Sequence, residues 1–143
     1  MHRSLLLAGV LVAACESTTG PGVALSNLAG TWDVAAWERA AAENPARREN
    51  VLADGMSVVL RIARNGELLL TVSSPLHATF AATGTISLRG DTLVYDGDNH
   101  EAMFRLRFFE HRMTWLALER ETHDVNDDGV PEETVQTVGF IRR

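Results

Sequence analysis

The chain has 143 residues, of which 45% are hydrophobic, 22% charged and 6% aromatic, the profile of one globular domain. Such a composition excludes a fibrous repeat, a disordered chain and a multi-span membrane protein. The formal net charge is −6 and all 13 basic residues are Arg, so the basic footprint of a nucleic-acid binder is missing. A single Cys leaves no internal disulfide and no Cys-based zinc site.

Met1-His2-Arg3 is basic, and residues 4–14 (SLLLAGVLVAA) are almost wholly apolar. This is the layout of a secretory signal, and the apolar run is well short of the roughly 20 residues a membrane-spanning helix needs. Val12-Ala13-Ala14-Cys15 resembles the bacterial lipobox, an aliphatic residue and two small ones before the Cys that carries the lipid. The resemblance implies cleavage after residue 14 and a diacylglycerol thioether on Cys15. At roughly 0.8 kcal/mol per buried methylene, two or three acyl chains make a stable anchor. It also implies a lipoprotein of the bacterial cell envelope, and Glu16 in the position after Cys15 points to the outer membrane, facing the periplasm. Residues 15–27 (CESTTGPGVALSN) are rich in Ser, Thr, Gly and Pro and read as a flexible tether.

From residue 28 the apolar period is two, with turn dipeptides between the runs. Residues 30–38 (GTWDVAAWE) predict a first strand with Trp32, Val34 and Ala36 on one face. Residues 39–54 are Ala-rich and charged, and read as a loop with a short helix after Asn44, where Pro45 suits a first helical position. Residues 56–64 form a second strand, Asn65-Gly66 a hairpin, and residues 67–73 a third strand ended by Ser74-Pro75. In residues 78–88 Ala78, Phe80, Ala82, Gly84, Ile86 and Leu88 share a face, and Gly84 in mid-strand predicts a bulge or bend. Arg89-Gly90-Asp91 is a turn. Strands at residues 92–96, 101–109, 112–121 and 134–142 complete a set of eight.

Eight strands on short hairpins predict an all-β, up-and-down antiparallel barrel, because closing the sheet removes its exposed edges. A two-sheet β-sandwich has the same strand count and period. Leu28-Ala29-Gly30-Thr31-Trp32 resembles the Gly-x-Trp opening of the lipocalin (calycin) barrels, and the chain ends on Phe140-Ile141-Arg142-Arg143. The resemblance spans residues 28–143. It implies that Arg142, or Arg143 next to it, lies across Trp32 and seals one end of the barrel, a structural pair rather than a catalytic one.

An eight-stranded barrel has room for packed side chains or one small ligand. Strand phase turns Val58, Leu60, Leu70, Phe80, Phe104, Leu106 and Trp115 toward that interior. The expectation is a monomeric, non-catalytic binder of a small hydrophobic or amphiphilic molecule, with the membrane reached through the lipid alone. A packed barrel serving as a structural or protein-interaction module of the envelope is the other reading: the small residues Ala78, Ala82 and Gly84 favour a hollow interior, the short fifth strand and small domain a narrow, filled one.

No cofactor is required by the sequence. Asp124-Val125-Asn126-Asp127-Asp128-Gly129 has the opening spacing of a calcium loop, with Asp124, Asn126, Asp128 and then Glu132 or Glu133 as the oxygen ligands. The twelfth position is Val135 where such loops carry a bidentate Glu, and Asp, Asn and Gly also make ordinary solvated turns. His77, His100, His111 and His123 show no metal-binding spacing, and no Ser-His-Asp pattern stands out.

Overall fold

The computed structural model describes residues 22–52 and 55–143, so the signal, Cys15 and the first part of the tether lie outside the described residues. A single helical turn, α1 (Leu25–Leu28), leads into ten strands. They are β1 (Gly30–Ala41), β2 (Arg48–Asn50), β3 (Ser57–Ile62), β4 (Glu67–Ser74), β5 (His77–Arg89), β6 (Thr92–Gly97), β7 (His100–Phe109), β8 (Arg112–Ala117), β9 (Glu121–His123) and β10 (Glu132–Arg142). Eight of them close an antiparallel ring in the order β1-β3-β4-β5-β6-β7-β8-β10, with β10 pairing back onto β1. The protein is therefore a closed barrel and not a sandwich.

Short turns set the register. Arg89↔Thr92, Gly97↔His100 and Phe109↔Arg112 each close on a two-residue loop, with positive φ at Gly90, Asn99 and Glu110. Gly66, at φ +91°, turns β3 into β4, and a Cβ there would lie 2.4 Å from the Ile86 carbonyl oxygen. The turns after β3, β5 and β7 lie at one end of the barrel with the entry to β1, and those after β4 and β6 lie at the other.

Strand β1 is the hub. Along one edge it pairs with β10 from Trp32 to Ala41; along the other it pairs first with β3 and then, beyond the ring, with β2. Strand β9 pairs with the start of β10, so β2-β1-β10-β9 forms a four-stranded extension above the barrel. The loop and short helix expected at residues 39–54 are thus corrected. Here β1 runs on to Ala41, and Asn44-Pro45-Ala46-Arg47 is a turn closed by the Arg47 amide donating to the Asn44 carbonyl at 2.9 Å. Pro45 occupies the second position of that turn, where its fixed φ serves as well as in a helix.

Two irregularities matter. The β1–β10 register shifts between Val34 and Ala36, so Trp37 rather than Ala36 follows Val34 toward the interior. The second shift lies between Val72 and Ser74. Gly84, where a bulge or bend was expected, carries no bulge and pairs regularly with Leu68 and Gly97. Its small size is needed because a Cβ would lie 2.6 Å from the Tyr95 ring, which packs across Gly84 and Gly97.

The end bearing α1 is shut. Trp32 is fully buried, its Nε1 donates to the Leu28 carbonyl at 2.8 Å, and Phe108 meets the indole edge-on at 6.2 Å. The Arg142 guanidinium lies over the indole at 4.4 Å, so the structure brings together the two residues expected to pair. Arg142 also donates to the Ala29 carbonyl at 2.8 Å and to the Asn27 carbonyl, which ties the last strand to the segment before the first. A cation over an indole adds roughly 0.5–2 kcal/mol according to its desolvation. Within the stretch read as tether, Val23 and Leu25 pack against the core.

Arg143, the neighbouring Arg, turns outward to Asp33 at 2.8 Å. Its hydrogen bond holds the Asp33 carboxyl below the usual value of 3.8, against a small opposing effect of burial. The folded pKa is therefore the lower one. The contribution of the pair is complete above the unfolded pKa and is lost as pH falls through the folded value. We expect Asp33→Asn to be less stable than the native chain at neutral pH, by a small margin because both partners face water. The two urea midpoints should converge as pH is lowered from about 5 to about 2.

Candidate ligand cavity

Inside the ring, above the Trp32 seal, lies a cavity of about 300 Å³. Its wall is apolar and comes from strands all round the ring: Val34 and Trp37 of β1, Val58 and Leu60 of β3, Leu68 and Leu70 of β4, Phe104 of β7, Trp115 of β8, Val138 and Phe140 of β10. Trp115 sits 5.5 Å from Phe104 and 4.8 Å from Phe140, ring centre to ring centre, and this aromatic trio forms part of the lining. Ala82 and Ala102 also line the space, where a larger side chain would occupy it. The volume is at the lower end of the range for ligand pockets.

Of the seven residues that strand phase turned inward, Val58, Leu60, Leu70, Phe104 and Trp115 line this cavity. Leu106 is buried in the core, one inward position nearer the sealed end than Phe104. Phe80 is corrected. It shares a face with Ala82, but β5 outruns β6 beyond Gly84, and Phe80 stands 60% exposed on the projecting β4–β5 hairpin beside Leu76. Sequence phase missed Trp37, which only the bulge turns inward, and Tyr95, His100 and Gln136, the polar members of the wall.

Those polar residues gather toward the open end. Trp37 donates its Nε1 to Gln136 Oε1 at 3.1 Å, and Gln136 in turn donates its Nε2 to a carboxylate oxygen of Glu121 on β9. The Tyr95 hydroxyl donates to the Thr83 carbonyl at 3.4 Å, on the β5 edge that β6 leaves uncovered. Beyond Gln136 the inner face of the extension is charged. Arg39 meets Glu49 at 2.6 Å, His123 meets the same carboxylate at 3.1 Å, and Arg47 meets Glu132 at 3.1 Å. The Nε of Arg39 and one oxygen of Glu132 are buried with no hydrogen-bond partner among the described residues.

The acidic turn folds on itself. Both carboxylate oxygens of Asp124 accept backbone N–H groups, from Asp128 at 3.2 Å and Gly129 at 2.7 Å. Asp128 accepts from the Val130 amide at 2.8 Å and from the Asn126 side chain at 2.9 Å, and these bonds hold its carboxyl below the usual range. Glu132, the fourth ligand of the calcium expectation, is turned to Arg47. Among the described residues no three His, Cys, Asp or Glu side chains gather as a metal site.

A scan against protein-family models finds none that matches the chain, and a search of curated proteins returns no significant match.

Proposed function

We propose that the protein is a non-catalytic binding module for a small hydrophobic or amphiphilic molecule, held at the bacterial outer membrane by a lipid on Cys15. The observation that carries the reading is the cavity itself: about 300 Å³ lined by apolar side chains inside a barrel shut at one end. Such a space desolvates an alkyl or aromatic body, while the few polar groups at the open end orient the rest of the molecule. The Gly-x-Trp opening and the Arg142–Trp32 seal support a lipocalin-like descent for the domain. The lipobox-like run ending at Cys15 supports the anchor.

Two measurements test this. Trp37 and Trp115 line the cavity, so titrating 1-octanol into the full chain carrying Cys15→Ser should change tryptophan fluorescence saturably. A flat titration would favour the packed interaction module. For the anchor, the native chain expressed in a bacterium should partition into detergent and incorporate labelled palmitate. Cys15→Ser should do neither, and an unlabelled native chain would remove the anchor from the proposal.

A further inference from the structure

Resting on that reading, we infer that the cavity selects a small organic cation, an amine with an apolar body, and that Glu121 is the group that recognises its charge. The arginines on and beside the β2-β1-β10-β9 extension are each paired with a carboxylate. Arg39 is matched by Glu49, Arg47 by Glu132, and Arg120 by Glu133 at 2.8 Å. Glu121 is exposed and has no cationic partner among the described residues, and neither have Asp96, Asp98 and Glu101 at the β6–β7 turn; of these carboxylates Glu121 is the one bonded by a cavity-lining side chain, Gln136.

Its position is fixed nonetheless. The Glu121 carbonyl accepts the Thr134 hydroxyl at 3.0 Å, and its carboxylate is held by Gln136, whose amide is itself fixed by Trp37. Both Gln136 and Trp37 line the cavity, so this chain of hydrogen bonds leads from the apolar wall to an unmatched carboxylate at its rim. An ammonium group on a bound alkyl or aryl body reaches Glu121 as the body enters the pocket. The aromatic rings of Trp37 and Tyr95 in the wall offer a second attraction for a cation.

Arg39 is the competing group. It lies opposite Gln136 in the β1–β10 ladder, and its buried Nε is free to donate to a carboxylate ligand. Glu49 at 2.6 Å cancels most of its charge, and His123 makes one further contact to that carboxylate.

The test compares octylamine, 1-octanol and octanoate by tryptophan fluorescence on the full chain carrying Cys15→Ser, at neutral pH. Octylamine is expected to bind about fivefold more tightly than octanol, the size of a partly screened ion pair, with octanoate weakest. That preference should shrink as salt rises. Glu121→Gln keeps the hydrogen bond to Gln136 in kind, so it should remove the amine preference and leave octanol affinity unchanged. Equal binding of amine and alcohol, tightest binding of octanoate, or a preference that survives Glu121→Gln would each overturn the assignment while leaving the cavity reading intact. Silence from all three probes would overturn both.

Discussion

Replacing Trp32 by Ala is expected to destabilise the barrel by about 3–5 kcal/mol, the range for removing a fully buried large aromatic. The side chain is 0% exposed, it satisfies the Leu28 carbonyl, and it carries the Arg142 guanidinium on its face. Its loss opens a hole at the sealed end and leaves α1 and the last strand without their shared surface. For a domain of this size that is a fall in Tm on the order of 10–20 °C. Trp37→Ala is the internal comparison. Trp37 is only half-buried and faces a space already empty, so its removal should cost clearly less. Equal costs for the two would show that the seal at Trp32 does not organise the fold.

Ala102→Leu is expected to weaken octanol binding at least tenfold while leaving Tm unchanged or slightly raised. Ala102 lines the cavity, and the three added carbons go into space that the ligand otherwise takes. Filling apolar space is favourable by roughly 0.8 kcal/mol per methylene, whereas forcing the same atoms into a packed core costs about 1–3 kcal/mol. The sign of the Tm change therefore separates a hollow barrel from a filled one without any ligand. A drop in stability with octanol affinity intact would contradict the cavity as the binding site.

How much of this was legible in the sequence depends on the length scale of the interaction. The eight ring strands follow from period-two alternation and turn dipeptides, both local signals, and their observed bounds differ from expectation by only a few residues. Closure of the ring was expected because it removes the exposed edges of an eight-strand meander, and the partner of Trp32 from resemblance. Strands β2 and β9 are three residues each and polar, so they carry no apolar alternation; they exist because β1 and β10 overrun the ring and offer edges.

Phe80 and Trp37 show the two ways phase misleads. Phe80 has the inward phase but lies past the end of β6, and phase does not say where a wall stops. Trp37 has the outward phase until the register shift after Val34 reverses it. The rim of the cavity was least legible of all. Its partners lie far apart in the chain, as Glu49 and His123 or Trp37 and Gln136 do, and nothing short of the closed fold joins them.

The most direct test of the central claim is native mass spectrometry of the full chain carrying Cys15→Ser, purified from bacteria without detergent, beside its Ala102→Leu derivative. A hollow binding barrel predicts a non-covalent adduct on the first protein that is lost on denaturation and absent from the second. A bare chain mass that stays unchanged when octylamine or octanol is added would contradict it.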